Sequence, residues 1–183
     1  MKKNGRLILT FAIVLAASSI CAVATGRQTS REQEARNILE DAGVKGGLIV
    51  HLGCGDGRLT AALRAGDSYT VHGLEVDGAK VAAAREYIQA RRMYGDVSVE
   101  QYARAVLPYA DNLVNLVVVE PRGRVAMNEL MRVVAPGGAV CFNNGGKWEK
   151  RVKPWPGDID QWTHFLHDAG NNAVAADSVV GPP

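Results

Sequence analysis

The sequence predicts an α/β fold: a doubly wound, mainly parallel sheet of about five strands with helices on both faces. Three observations carry this expectation. Short apolar runs alternate with stretches of helical period, which is the pattern of a parallel sheet joined by right-handed crossovers. The first apolar run breaks into three glycines, Gly53, Gly55 and Gly57, just before a helical stretch. The run "NLVNLVVVE" is apolar almost throughout, as a central strand covered on both faces must be.

Taken in order, "TSREQEARNILEDAG" reads as a capped helix. Ser30 can accept from a first-turn N–H, Glu32, Gln33 and Glu34 suit the positive helix end, and Gly43 stops it. "GLIVHLG" is a buried strand and "GRLTAALRAG" a helix closing on Gly66. "YTVHGLEV" is a second strand. "GAKVAAAREYIQARRMYG" places Val81, Ala84 and Ile88 at helical spacing and leaves Arg85, Arg91 and Arg92 to solvent. "DVSVEQ" is a short third strand and "NLVNLVVVE" the fourth. "GRVAMNELMRVVAPGG" sets Ala126, Leu130, Val133 and Val134 on one helical face and ends in Pro-Gly-Gly, before a fifth strand, "AVCFNN". No C-terminal β-hairpin is evident after it.

The chain has 183 residues, 47% hydrophobic and 22% charged, which is globular composition for one domain and a little more. The formal charge of +2 selects no partner, and no basic stripe with interleaved aromatics suggests nucleic-acid binding. The N-terminus is distinctive. Lys2, Lys3 and Arg6 precede an apolar run to Ala24 that ends in Ala22-Val23-Ala24. That is the layout of a secretory signal peptide over residues 1–24, or of a membrane anchor if uncleaved, and it predicts an exported protein. Of the three cysteines, Cys21 lies in the signal, Cys54 in the glycine loop and Cys141 in a strand; they form neither a disulfide framework nor a metal-ligand spacing.

The glycine loop follows the first strand, where open α/β sheets bind their ligands. A dinucleotide fingerprint G-x-G-x-x-G would need glycine at 58 or 60, where Arg58 and Thr60 stand, so the loop does not fit a nicotinamide or flavin site. The observed G-x-G-x-G resembles motif I of the class I S-adenosylmethionine-dependent methyltransferases, a Rossmann-like family. "LPYADNLVNLVVVE" and "ELMRVVAPGGAVCF" resemble that family's later motifs, so the likeness spans about residues 35–143. The resemblance implies S-adenosyl-L-methionine as cofactor, an unknown methyl acceptor as partner, and His51, Gly53, Cys54, Gly55, Gly57, Glu75 and Val76 as cofactor-binding residues. Glu75, at the end of the second strand, would hold the ribose hydroxyls, since a carboxylate can accept from both.

Three departures from the family bear on activity. His51 stands where it usually has an acid near the cofactor ammonium, and Ala103 where an acid often meets the adenine amino group, with Asp96 and Glu100 out of register. The family's strands beyond the fifth are missing or replaced. Glu120, before Pro121, is a candidate base or a helix cap. A degenerate, non-catalytic binding or structural domain is therefore the alternative to a methyltransferase.

Residues 25–145 are thus expected to form the Rossmann-like domain, and residues 146–183 a linker and the start of another module. This tail holds Trp148, Trp155 and Trp162 and resembles the lead-in to exported PQQ-binding-like β-propeller proteins. On that likeness the chain is the N-terminal part of a longer protein. Asp158, Asp160, His164, His167 and Asp168 cluster there, but H-x-x-H with no second cluster completes no metal site.

Overall fold

The computed structural model describes residues 30–120 and 125–158, together with 165, 169, 170 and 174. The expected signal segment and His164, His167 and their neighbouring acids Asp160 and Asp168 lie outside the described residues. The first helix, α1, spans residues 30–42. There follow β1 (Gly47–Leu52), α2 (Arg58–Leu63), β2 (Tyr69–Glu75), α3 (Gly78–Ala90), β3 (Val97–Gln101), β4 (Val114–Val119), α4 (Met127–Val133), β5 (Val134–Asn144) and β6 (Lys147–Val152). The strands form one six-stranded sheet in the order β3-β2-β1-β4-β5-β6. Its first five strands are parallel, and β6 runs antiparallel beside β5.

Alternation along the strands decides which face each residue serves. Ile49 of β1 and Leu116 and Val118 of β4 face the side covered by α1, α2 and α3, where Ile38, Leu63, Ala84 and Ile88 meet them. Val50, Leu52, Val117 and Val119 face the other side, closed by Leu130 and Val133 of α4 and by Leu107 from the β3–β4 connection. Both faces are buried, so β1 and β4 read as continuous apolar runs, as the sequence implied.

Two sequence expectations need correction. A hairpin is present: Asn144 and Lys147 pair across the Gly145-Gly146 turn, and the register continues to Ala139 opposite Val152. Residues 147–152 therefore belong to the sheet, although their charged, proline-flanked composition suggested the start of a second module. The reason is positional. β6 is an edge strand, and Lys147, Glu149, Lys150 and Arg151 are exposed along it, the composition that discourages further pairing. Only Trp148 turns inward, packing on the α1 side of the core and donating its Nε1–H to Glu34 at 3.1 Å. The second correction concerns Val134, which starts β5 rather than ending α4. It pairs with Val114, while the next pair joins Ala139 to Leu116, so Ala135–Gly138 form a bulge.

The connection over residues 102–113 has no helix. It is held to α4 by one residue pair. Arg132 binds Glu129 at 2.7 and 2.8 Å and also reaches the carbonyls of Leu107 and Tyr109 and the carboxylate of Asp111. Glu129 in turn accepts the Leu107 N–H at 2.7 Å. The Arg132 guanidinium holds the Glu129 carboxyl at about 2, below its usual 4.5. A depressed carboxyl contributes stability that is full above the ordinary value and lost as pH falls toward the depressed one. The melting-temperature gap between the parent and Glu129→Gln is therefore expected to be constant above about pH 5 and to close as pH falls toward about 2. A gap independent of pH would show that the pair does not hold this connection.

Candidate functional site

The carboxyl ends of β1, β2 and β3 open into a cleft of about 700 Å³. Its floor is Leu52, Gly53, Leu74 and Glu75, and its walls include Val76, Tyr102 and Leu107. It lies where the rule for open α/β sheets places a ligand, beside the point at which strand order reverses between β1 and β4.

The glycine loop is built to bring bare backbone to this floor. Gly53, Gly55 and Gly57 all have positive φ, at 74°, 57° and 74°. The Gly53 N–H is tied to the Leu74 carbonyl at 2.8 Å, which locks the loop to the end of β2. A side chain at Gly55 would meet only Gly53 O, at 3.9 Å, so the space over the loop is open. Gly57 serves a different purpose. Its missing side chain lets α2 lie on α3, since a Cβ there would stand 2.8 Å from that of Ala84.

Glu75 is 3% exposed, and its carboxylate organises the loop. One oxygen accepts from the Gly55 N–H at 2.9 Å, the other from Val76 and Asp77 at 2.9 and 3.3 Å. A carboxylate has about four acceptor positions, so three are used within the protein. Glu75 is thus a loop-shaping group with about one acceptor position left for a ligand. Val76 next to it is 57% exposed, an apolar surface on the cleft wall suited to a flat ring.

His51 and Cys54 face inward. His51 is fully enclosed and shares a 2.9 Å hydrogen bond between Nδ1 and the Thr60 hydroxyl, while its Nε2 has no partner among the described residues. Burial, reinforced by nearby Arg31, pushes its pKa down to about 3, so the ring is neutral. Its proton is thus missing from the folded state and gained on unfolding below about 6.5, so it costs stability progressively as pH falls from there toward about 3. The His51 ring resonances are expected to stay fixed when pH is lowered from about 8 to about 5, whereas a midpoint near 6.5 would contradict the enclosure. The Cys54 side chain turns away from the cleft: its Sγ lies where a Cβ at Gly73 would come within 3.0 Å, and burial raises its thiol to about 12. Cys54 contributes to the loop through its backbone only.

Of the other candidates, Ala103 lies on the cleft wall and brings no acceptor side chain. Asp96 is paired with Arg64 at 2.8 Å, and Glu100 stands 3.8 Å from His72, so neither replaces it. Glu120 follows β4 next to Arg31, 3.6 Å away, and its N–H donates to Leu52 O. No group of three or more metal-ligating side chains occurs among the described residues. Sequence reasoning missed Thr60, Tyr102 and the Glu129–Arg132 pair. Only the last left a signal, an acid and a base three apart on a helix.

Residues 49–138 match the family described as methyltransferase domain. No curated protein sequence matches the chain. Among solved structures, a candidate S-adenosyl-L-methionine-dependent methyltransferase from Methanococcus maripaludis superposes with a TM-score of 0.60 at 19% identity, covering 72% of this chain and 64% of its own. A methyltransferase of the same cofactor dependence from Aquifex aeolicus gives 0.52 at 20% identity, with 59% and 62% covered. The [4+2]-cyclase SpnF gives 0.54 at 22% identity, with 61% and 43% covered. The chain thus spans less than two thirds of the length of each of these proteins. Because a cyclase stands among them, likeness of fold does not by itself select the reaction.

The cleft suits a ligand such as S-adenosylmethionine at two points. The floor offers a buried carboxylate with an acceptor position to spare, and the loop leaves room for close approach, whereas the enclosed His51 is not part of the cleft lining.

Proposed function

We propose that the domain binds S-adenosylmethionine in the 700 Å³ cleft and transfers its methyl group to an acceptor brought to the carboxyl end of the sheet. The observation that carries this reading is Glu75, a buried carboxylate at the cleft floor that holds Gly55 in place and keeps an acceptor position for a ribose hydroxyl. In this arrangement Val76 would hold the adenine, and the backbone at Gly53 and Gly55 would hold the methionine part. When bound, the cofactor supplies a sulfonium-activated methyl that an acceptor lone pair takes in line. The domain contributes orientation and water exclusion, which account for much of the rate in such transfers. Glu120 is the residue we assign to the acceptor's proton, with Arg31 setting its position.

We further propose that the protein is exported through its N-terminal segment, and that the Trp-rich stretch after β6 leads into a PQQ-like β-propeller. Both rest on the sequence patterns described above.

Calorimetric titration of the 183-residue chain with S-adenosylmethionine and S-adenosylhomocysteine tests the reading. One-site binding with Kd of about 1–100 μM is expected. Absence of binding to folded protein at millimolar ligand would leave a methyltransferase-shaped scaffold without cofactor function.

A further inference from the structure

A second cavity, of about 330 Å³, opens on the helical face between α1, α2 and the end of α3. Alanines of α2 form its floor, and five arginines wall it: Arg31, Arg36, Arg58, Arg64 and Arg91. Glu32 is the single carboxylate lining it among the described residues. The arginines come from α1, α2 and α3 and their C-terminal ends, so no local pattern brings them together.

The guanidinium groups are held in place. Asp56 binds Arg58 at 3.2 Å, Asp67 and Asp96 bind Arg64 at 2.9 and 2.8 Å, and Glu34 binds Arg31 at 2.6 Å. These acids lie outside the cavity lining and occupy one or two donors of groups that carry five each. The ring of Tyr87 lies under the guanidiniums of both Arg91 and Arg58, 3.7 and 4.8 Å from its centre. Such stacking favours arginine over lysine and fixes the planar forks. Arg64 Nε is buried and has no partner among the described residues, and a buried donor in that state calls for a ligand or a water. Ordinary solvated arginines neither bury Nε nor share one aromatic ring.

We infer that this cavity is a binding site for a small phosphorylated anion of about diphosphate size. Planar guanidinium forks match phosphate oxygens in pairs, and a lone carboxylate would engage only one of the five. The volume admits a diphosphate or a small phosphate ester with its apolar part on the alanine floor. S-Adenosylmethionine carries no phosphate, so the site is separate from the cofactor cleft, and the inference does not depend on the proposed function. It shares α2 with the glycine loop, where Arg58 follows Gly57, and its wall residue Arg31 also stands 3.6 Å from Glu120.

The test is calorimetric titration of the full chain with pyrophosphate, with orthophosphate and a single-stranded oligonucleotide as comparisons. One-site binding of pyrophosphate with Kd of about 100 μM or tighter is expected. The double variant Arg36→Gln/Arg91→Gln is expected to weaken it at least about tenfold, and Arg64→Lys, which keeps the charge and loses the Nε–H, by a similar factor. Thermal melting of each variant checks that it is folded. The inference is overturned by absence of saturable binding at about 10 mM pyrophosphate, or by affinity unchanged in both folded variants. It is equally overturned if the oligonucleotide binds and pyrophosphate does not compete, which would make the surface a nucleic-acid contact.

Discussion

Replacing Glu75 with alanine is expected to weaken S-adenosylmethionine binding by about 100-fold or more, the largest single effect on the cofactor site. Two losses combine. The ribose loses a charged acceptor, worth about 1.5–3 kcal/mol. The N–H groups of Gly55, Val76 and Asp77 lose the oxygens that hold them, so the loop no longer stands ready beneath the ligand. Glu75→Gln separates these contributions. It keeps one acceptor oxygen but turns an NH₂ group toward backbone donors, so it is expected to disturb the loop while retaining part of the ribose contact. Calorimetry on both variants, with melting curves beside it, distinguishes the two. Wild-type affinity in Glu75→Ala would remove the residue from the cofactor site altogether.

The second large effect is expected at Gly57, and it concerns stability. Alanine there would keep φ at +74°, a region costing about 1–3 kcal/mol for a residue with a side chain. Its Cβ would also lie 2.8 Å from the Cβ and 3.0 Å from the Cα of Ala84. Relieving that overlap means moving α2 off α3, and overpacking of this kind costs about 1–3 kcal/mol more. Urea unfolding of Gly57→Ala is thus expected to show a loss of about 3 kcal/mol or more. Adding Ala84→Gly removes the clash but not the φ strain, and introduces glycine into a helix at about 1 kcal/mol. The double variant should therefore recover only part of the loss. Full wild-type stability in Gly57→Ala would mean that the two helices do not meet at this point.

Much of the fold was legible because its cause is local. The apolar runs of β1 and β4 had to be buried on both faces, and Gly43, with φ of 72°, ends α1 where a stop was expected. The glycine loop was legible for the same reason, since alternate glycines after a strand impose a backbone shape before any tertiary contact forms. What escaped was partnership across sequence distance. Trp148 looked like part of a following module, yet it bonds to Glu34, 114 residues earlier. The 102–113 connection depends on Arg132 rather than on a helix of its own.

By itself, then, the sequence determined the order of strands and helices and the glycine loop, because period, turn residues and motif spacing act over a few neighbouring positions. Only the tertiary structure decided which way the side chains face and what they meet. Packing turned Cys54 into the core, enclosed His51 as a neutral ring, spent most of the Glu75 carboxylate on the loop, and drew five arginines from three helices around one cavity. Those outcomes depend on distances between residues far apart in the chain, and no local pattern encodes such distances.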